Sequence, residues 1–190
     1  MRRVYHFLEY LYYYVFGHIC WLLNFHKRKK YLKGKWFRGF KAEGWMWLCK
    51  DTAGCILNRI NRSVPWPVAS NIKISFPENI IFDVDDLNNF QATGSYFQAF
   101  DKIIIGKGTF ISFNVGLITA NHDFSNLENH QESRPIIIGE KCWIGMNSVI
   151  LPGVTLGTRT IVGAGSVVTK SFPEGNCVVA GNPAKKIKDL

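Results

Sequence analysis

An aliphatic residue returns at every sixth position near the C-terminus, and this period constrains the fold more than any other feature of the chain. The series is Ile138, Ile144, Ile150, Leu156, Val162 and Val168. A helix repeats about every 3.6 residues and a strand every second residue, so neither alone produces a strict period of six. Six residues suit one face of a three-sided prism, with a short strand on each face, a turn at each corner and one aliphatic side chain pointing inward. Stacked coils of this kind bury a continuous core.

A second series lies four residues after the aliphatic residues and takes only small or β-branched side chains: Cys142, Ser148, Val154, Thr160 and Ser166. The six-residue spacing also runs earlier in the chain, through Ile105, Ile111 and Leu117. Counting back from there by sixes reaches Ala99, Thr93, Leu87 and Ile81, a degraded but compatible series. We therefore expect the aliphatic members to form the core and to carry no chemistry.

The period is interrupted between Leu117 and Ile138, which lie 21 residues apart, three more than one coil of 18. The interval is polar and ends in Arg134-Pro135. We predict that the chain leaves the prism after His122 and returns near Pro135, which makes 123–135 a protruding loop. Loops held by a rigid scaffold are a common place for binding and catalysis.

The positive charge of the chain is concentrated at its N-terminus. Residues 1–62 hold 13 Lys and Arg against 3 Asp and Glu, whereas residues 63–190 hold 10 against 11. This distribution argues against a nucleic-acid-binding face on the repeat region. The 5 cysteines include no C-x-x-C pair, which disfavours a disulfide framework or zinc knuckle and favours a reducing cytoplasm. We predict two domains, a basic and aromatic helical extension over 1–62 and the repeat domain over 63–190.

The N-terminal segment has apolar residues at a helical spacing: Val4, Leu8, Leu11, Val15, Ile19 and Leu22. His6, Glu9 and His18 interrupt it, which disfavours a transmembrane span of about 20 apolar residues. We find no small-residue cleavage site of the kind that ends a secretory signal. Two interpretations stay open. Residues 1–30 form a helix that lies on the inner face of the cell membrane, or a helix that packs on the same or a neighbouring subunit.

His122 is the leading candidate for chemistry, because a neutral imidazole can accept a proton from a hydroxyl. Its neighbour Asp123 could hydrogen-bond the ring or a substrate, or could cap the loop. From spacing alone, a single histidine in an exposed loop is more often inert than catalytic. His130 lies deeper in the polar loop, and we expect it to face solvent.

Several motifs point to a family. They are Cys142-Trp143-Ile144-Gly145, Leu151-Pro152-Gly153-Val154, the run from Gly163 to Lys170, and the run from Ala180 to Ala184. These motifs resemble those of hexapeptide-repeat acyltransferases, in the branch of galactoside, maltose and nodulation O-acetyltransferases. The run from Thr119 to Ser125 is similar to acetyltransferases of colanic-acid and other surface-polysaccharide pathways. The resemblance covers about residues 80–188 and excludes the first 60.

The resemblance implies an all-β, left-handed parallel β-helix with the helical extension added to it, usually assembled as a homotrimer. It also implies direct transfer of an acetyl group from acetyl-CoA to a sugar hydroxyl of a bacterial surface polysaccharide or its precursor. His122 would act as general base, and a backbone N–H would stabilise the oxyanion. No metal is implied.

The resemblance carries further residues over to this chain by motif. Those for the acetyl-CoA site are Trp143, Met146, Ala164, Thr169, Lys170, Lys185 and Lys188. Met146 stands where serine is frequent, so only its backbone is assigned a role. Lys185 and Lys188 stand where relatives have arginine, and lysine cannot form a bidentate contact with phosphate. Weaker candidates for the acceptor side are Asn114, Asp123, Tyr96 and Asp85.

Three other functions were weighed against this one. A γ-type carbonic anhydrase needs three histidines for zinc, and the chain has no histidine after His130. An acetyltransferase of a small molecule, such as an antibiotic, amino acid or amino sugar, stays open. So does a non-catalytic trimeric scaffold at the membrane. Replacing His122 with alanine separates the catalytic from the non-catalytic function.

Overall fold

The computed structural model describes residues 2–23 and 29–190. By its internal contacts the chain forms two compact units, Met1–Ser70 and Asn71–Leu190. The domain boundary predicted between residues 62 and 63 stays a prediction. The parts of the predicted N-terminal helix at residue 1 and at residues 24–28 lie outside the described residues.

The first unit is built on two helices, α1 (Arg2–Leu23) and α2 (Glu43–Leu57), with short 3₁₀ turns at Lys29–Tyr31 and Lys35–Phe37. They pack closely at Gly17, where an added Cβ would lie 3.0 Å from the ring of Trp45. The His18 ring stacks on the same indole at 3.9 Å between centroids. Among the described residues, neither helix has the length and apolar character that a bilayer crossing requires.

The second unit contains fourteen strands, which we number along the chain. They are β1 (Lys73–Ser75), β2 (Ile80–Ile81), β3 (Tyr96–Gln98), β4 (Ile103–Ile105), β5 (Phe110–Ile111), β6 (Gly116–Ile118), β7 (Ile136–Ile138), β8 (Trp143–Ile144), β9 (Val149–Ile150), β10 (Thr155–Leu156), β11 (Thr160–Val162), β12 (Val167–Val168), β13 (Cys177–Gly181) and β14 (Ala184–Asp189).

These strands form three sheets. The first sheet holds β1, β3, β6, β9 and β12, the second holds β2, β4, β7 and β10, and the third holds β5, β8, β11, β13 and β14. All pairs are parallel except β13 with β14. From β3 onward, successive strands up to β12 fall on successive sheets, so the chain winds around a three-sided prism. This architecture fits the left-handed parallel β-helix implied by the resemblance. The helices of the first unit mean that the chain as a whole is not all-β.

The predicted core series is confirmed. All six aliphatic residues from Ile138 to Val168 are at most 1% exposed, and the small-residue series from Cys142 to Ser166 is at most 2% exposed. Ile144 pairs in register with Val162, and Ile150 with Val168, one coil apart. Each fully buried aliphatic side chain contributes about 1.5–3 kcal/mol through the area that it removes from water.

The backward extension of the series is wrong at two positions. Ile81 is 50% exposed, and Thr93 is also exposed. The strand register accounts for this, because Ile81 pairs with Ile104 rather than with the inward Ile105, and Leu117 pairs with Phe97 rather than with Ala99. A 3₁₀ segment, Val84–Phe90, stands where the first coil would place a strand of the third sheet. Within that segment the buried Asn89 replaces the missing strand, because its Nδ2 donates to the Thr109 carbonyl at 2.9 Å and its Oδ1 accepts from the Ile111 N–H at 2.8 Å.

A third six-residue series is present in the backbone. Residues with positive φ lie three positions after inward aliphatic residues: Gly108, Asn114, Lys141, Asn147, Gly153, Arg159 and Gly165. Glycine and asparagine tolerate this left-handed conformation, whereas lysine and arginine adopt it rarely. The corners therefore impose the conformation through the stacking of the coils, whatever residue occupies the position.

Candidate active site

The interruption of the period is an antiparallel hairpin over residues 119–134. Backbone N–H groups of Asp123, Gln131 and Arg134 donate to the carbonyls of Asn129, Asn121 and Thr119, at 2.9, 2.8 and 2.8 Å. The hairpin lies at the corner where the chain passes from the first sheet to the second, which we call the hairpin corner. His122 lies on the hairpin itself, where it pairs with His130. The predicted loop bounds, 123–135, stay a prediction.

Side-chain hydrogen bonds shape the tip of the hairpin. Asp123 Oδ1 accepts from the backbone N–H of Ser125 at 2.8 Å and from its hydroxyl at 2.7 Å. These two bonds, the hydroxyl first, lower the pKa of the Asp123 carboxyl. Asn126 Oδ1 accepts from the backbone N–H of Glu128 at 3.0 Å. The Asp123 carboxylate thus serves the loop, as the capping alternative anticipated.

The hydrogen bond of His122 decides which ring nitrogen carries the proton. Its Nδ1 lies 2.7 Å from the carbonyl oxygen of Leu127. A carbonyl only accepts hydrogen bonds, so Nδ1 must donate and carries the hydrogen. In the neutral ring Nε2 then has a free lone pair, which is the arrangement that a general base requires. His122 is exposed, so a substrate can reach it.

A row of tilted ring contacts runs along the hairpin corner from His122. The His130 ring lies 4.5 Å from that of His122, Phe100 lies 4.9 Å from His130, and Phe76 lies 5.0 Å from Phe100. His130 is exposed, as expected, but one face of its ring covers His122. Sequence reasoning missed this contact. The signal would have been antiparallel pairing of the two histidines across the hairpin, which the structure shows as a bridge.

The residues assigned to acetyl-CoA lie at several places on the prism. Thr169 and Lys170 follow β12, which places them at the hairpin corner two coils beyond His122. Trp143 begins β8 in the third sheet and is 53% exposed. Met146 and Ala164 lie on neighbouring coils at the corner between the third and first sheets, where Gly165 N–H donates to the Met146 carbonyl at 2.8 Å. One chain therefore does not bring all of them to His122.

The remaining candidates are also dispersed. Lys185 and Lys188 are exposed on β14, Asn114 is exposed before β6, Tyr96 begins β3, and Asp85 lies in the 3₁₀ segment of the first coil. Their assigned roles stay predictions. Across residues 2–23 and 29–190, no three His, Cys, Asp or Glu side chains are grouped closely enough to hold a metal ion.

Comparison with known sequences places the repeat in a family. The family model described as "Bacterial transferase hexapeptide (six repeats)" matches residues 135–170. WcaF of Escherichia coli K12, provisionally named a colanic acid biosynthesis acetyltransferase, is 36% identical over 126 residues, which cover 64% of this chain and 65% of WcaF. A protein of Saccharomyces cerevisiae, provisionally named an acetyltransferase, is 41% identical over 92 residues, covering 47% of this chain and 46% of that protein. The chain thus spans about half to two thirds of these relatives.

Solved structures share the fold. A maltose O-acetyltransferase from Clostridium difficile 630 matches with a TM-score of 0.55 and 26% identity, over 76% of this chain and 88% of that one. A galactoside acetyltransferase solved in complex with coenzyme A also matches with a TM-score of 0.55 and 26% identity, over 75% and 82% of the two chains.

Proposed function

Because this chain belongs to the hexapeptide-repeat transferase family, we propose that it transfers an acetyl group from acetyl-CoA to a sugar hydroxyl. The single observation that carries the proposal is the state of His122. Its Nδ1–H is held by the Leu127 carbonyl, so Nε2 is free to accept a proton.

The proposed chemistry is direct transfer. His122 Nε2 takes the proton of the acceptor hydroxyl as its oxygen attacks the thioester carbon. The C–S bond of the tetrahedral intermediate then breaks, and the leaving thiolate takes the proton back from His122. A backbone N–H stabilises the oxyanion between these steps. The products are an acetyl ester and free CoA, and no covalent enzyme intermediate is needed.

We further propose that the complete site forms between two copies in a homotrimer. Trp143, Met146 and Ala164 lie away from the hairpin corner of their own chain, so a second copy must present them for all of the assigned residues to meet. Acetyl-CoA would then run past these residues, with Thr169, Lys170, Lys185 and Lys188 toward its nucleotide end. The coenzyme A in the galactoside acetyltransferase structure supports a coenzyme site on this fold.

The acceptor that we favour is a bacterial surface polysaccharide or its precursor in the cytoplasm. The match to WcaF, whose name refers to colanic acid, supports this class. An antibiotic, amino acid or amino sugar is the alternative acceptor, and a non-catalytic trimeric scaffold is the alternative function. Peripheral association of residues 1–30 with the inner face of the membrane is a separate prediction that acetyl transfer does not require.

The test is release of the CoA thiol from acetyl-CoA across a panel of sugar, amino-sugar and antibiotic acceptors. Loss of a general base lowers the rate by about 10²–10⁴-fold. We therefore expect the kcat of His122→Ala with the best acceptor to be at least about 10²-fold lower than that of the parent. Acetyl-CoA binding, measured by calorimetry, should stay within about twofold of the parent, because the imidazole acts on the acceptor.

His6→Ala is the matched control, because His6 is an exposed histidine in the helical unit that lies 3.6 Å from Glu9. It should keep the parental rate. If His122→Ala also keeps the parental rate, the proposed role of His122 as general base is refuted. If no acceptor releases thiol and the protein does not bind acetyl-CoA, the scaffold function takes its place.

A further inference from the structure

The apolar stripe of α1 does not pack against the rest of the first unit. Its six residues, at the spacing of one helix face, are all exposed: Val4 62%, Leu8 55%, Leu11 39%, Val15 46%, Ile19 41% and Leu22 67%. Helices of globular proteins ordinarily turn such a stripe toward the core. A contiguous exposed apolar surface of this kind marks an interaction site.

A different face of α1 makes the contacts within the first unit. Phe7 packs on Phe40 at 5.6 Å and Tyr14 on Trp45 at 5.7 Å between ring centroids. Gly17 lets the helix approach Trp45, and the Tyr13 carbonyl accepts from the Cys49 thiol at 3.9 Å. Because α1 already has its packing face, the apolar stripe needs a second partner.

The surroundings of the stripe indicate the chemistry of that partner. Tyr5 and Tyr12 are 70% and 52% exposed, and tyrosine is enriched at the level of lipid headgroups. Lys29, Lys30 and Lys33 are exposed beyond the C-terminus of α1, and the Lys29 ammonium lies 4.9 Å from the Trp21 ring. An apolar face bordered by aromatic and basic residues is typical of a helix lying in the plane of a bilayer.

We propose that this stripe docks on an anionic lipid bilayer, with α1 parallel to the membrane plane and the lysines against lipid phosphates. The net charge of residues 1–62 decides between this partner and a second copy of the chain. These residues hold 13 basic and 3 acidic side chains, so two copies would repel each other while an anionic surface attracts them. The proposal is independent of acetyl transfer.

Vesicle flotation tests the proposal on the full chain. Vesicles of equimolar phosphatidylglycerol and phosphatidylcholine should carry the protein upward, and vesicles of phosphatidylcholine alone should carry much less of it. The double variant Leu8→Gln, Leu22→Gln should lower the partition coefficient by at least about tenfold, because two side chains lose their apolar burial in lipid. Added salt should weaken binding to the anionic vesicles by screening the lysines.

The matched control is Ile56→Gln, Leu57→Gln, since these residues are 57% and 80% exposed in α2 and lie outside the stripe. It should float as the parent does. All four leucine and isoleucine side chains are more than half exposed, so both variants should keep the parental melting temperature and thiol-release rate.

Equal loss of flotation in the two variants would overturn the proposal, and so would a parent that floats with neither vesicle. If the stripe variant floats normally but elutes as a smaller species in size-exclusion chromatography, the stripe is a contact between copies and the lipid proposal is wrong.

Discussion

Neighbouring coils pack closely at glycines that follow inward aliphatic residues, and Gly139→Ala should show what this packing contributes to stability. A Cβ at position 139 would lie 2.6 Å from the Thr158 nitrogen and 2.9 Å from its Cα, where ordinary contact begins at 3.4 Å. Both neighbours are backbone, so relief requires the two coils to separate by roughly half an ångström or more. That movement also stretches the 2.8 Å bond from Gly139 N–H to the Leu156 carbonyl.

The expected magnitude follows from these two effects. Overpacking costs about 1–3 kcal/mol, and weakening one backbone hydrogen bond adds about 1 kcal/mol. We therefore expect Gly139→Ala to lower the free energy of unfolding by roughly 2–4 kcal/mol, which corresponds to a fall in Tm of roughly 5–15 °C for a chain of this size. Thermal unfolding followed by far-UV circular dichroism measures it.

Gly116→Ala is the control, because its added Cβ would meet the nearest atom, a methyl carbon of Val149, at 3.5 Å, and its φ is not positive. It should change the free energy of unfolding by less than about 0.5 kcal/mol. If the two variants melt within about 2 °C of each other, the coils are more compliant than this reasoning assumes, and the argument from close packing fails.

Two further predictions concern polar side chains of the repeat unit. Asn89→Ala should lower the free energy of unfolding by about 2–5 kcal/mol in denaturant titration, because it leaves the Thr109 carbonyl and the Ile111 N–H buried without their partner. The control Asn88→Ala should lower the free energy of unfolding by less than about 0.5 kcal/mol. Equal effects of the two substitutions would contradict the bridging role of Asn89. The tip of the hairpin should loosen only at acidic pH. Hydrogen bonds from Ser125 lower the pKa of the Asp123 carboxyl, so these bonds are fully present above the ordinary carboxyl pKa and are lost as the pH falls through the lowered pKa. The Ser125 amide resonance in an NMR titration reports this loss, and a transition near or above the ordinary value, or one that persists in Asp123→Asn, would refute it.

The core of the repeat unit could be predicted because its physics is periodic. Each strand of the prism turns the aliphatic residue of the six-residue series inward, so burial of Ile144 and Val162 follows once the period is recognised. The same rule failed at Ile81, because this residue pairs with Ile104 and not with the inward Ile105. The 3₁₀ segment that follows takes the place of a strand, and Asn89 supplies the hydrogen bonds from its side chain. A period detects repeated burial, and it does not detect a polar substitute for a strand.

The candidate site was less accessible to sequence reasoning. The hairpin is held by pairing between polar residues, which leaves no hydrophobic period, so the ring contact of His130 was missed. The position of the proton on His122 depends on the Leu127 carbonyl. Every residue has a backbone carbonyl, so the amino-acid sequence does not show which one will accept this hydrogen bond. The role of the histidine rested on a resemblance, whereas its tautomer is a matter of geometry.

The hairpin corner also shows how such a scaffold tolerates change. Ile105 and Ile138 lie 33 residues apart and still pair in register, as Ile138 and Leu156 do at 18. The interior of the prism therefore keeps its register when a segment is inserted at a corner. The entropic cost of closing a longer insertion grows only slowly with its length. New segments can therefore be inserted at this corner while the strand pairing of the prism stays unchanged, so the hairpin can vary in length and sequence at little cost to folding.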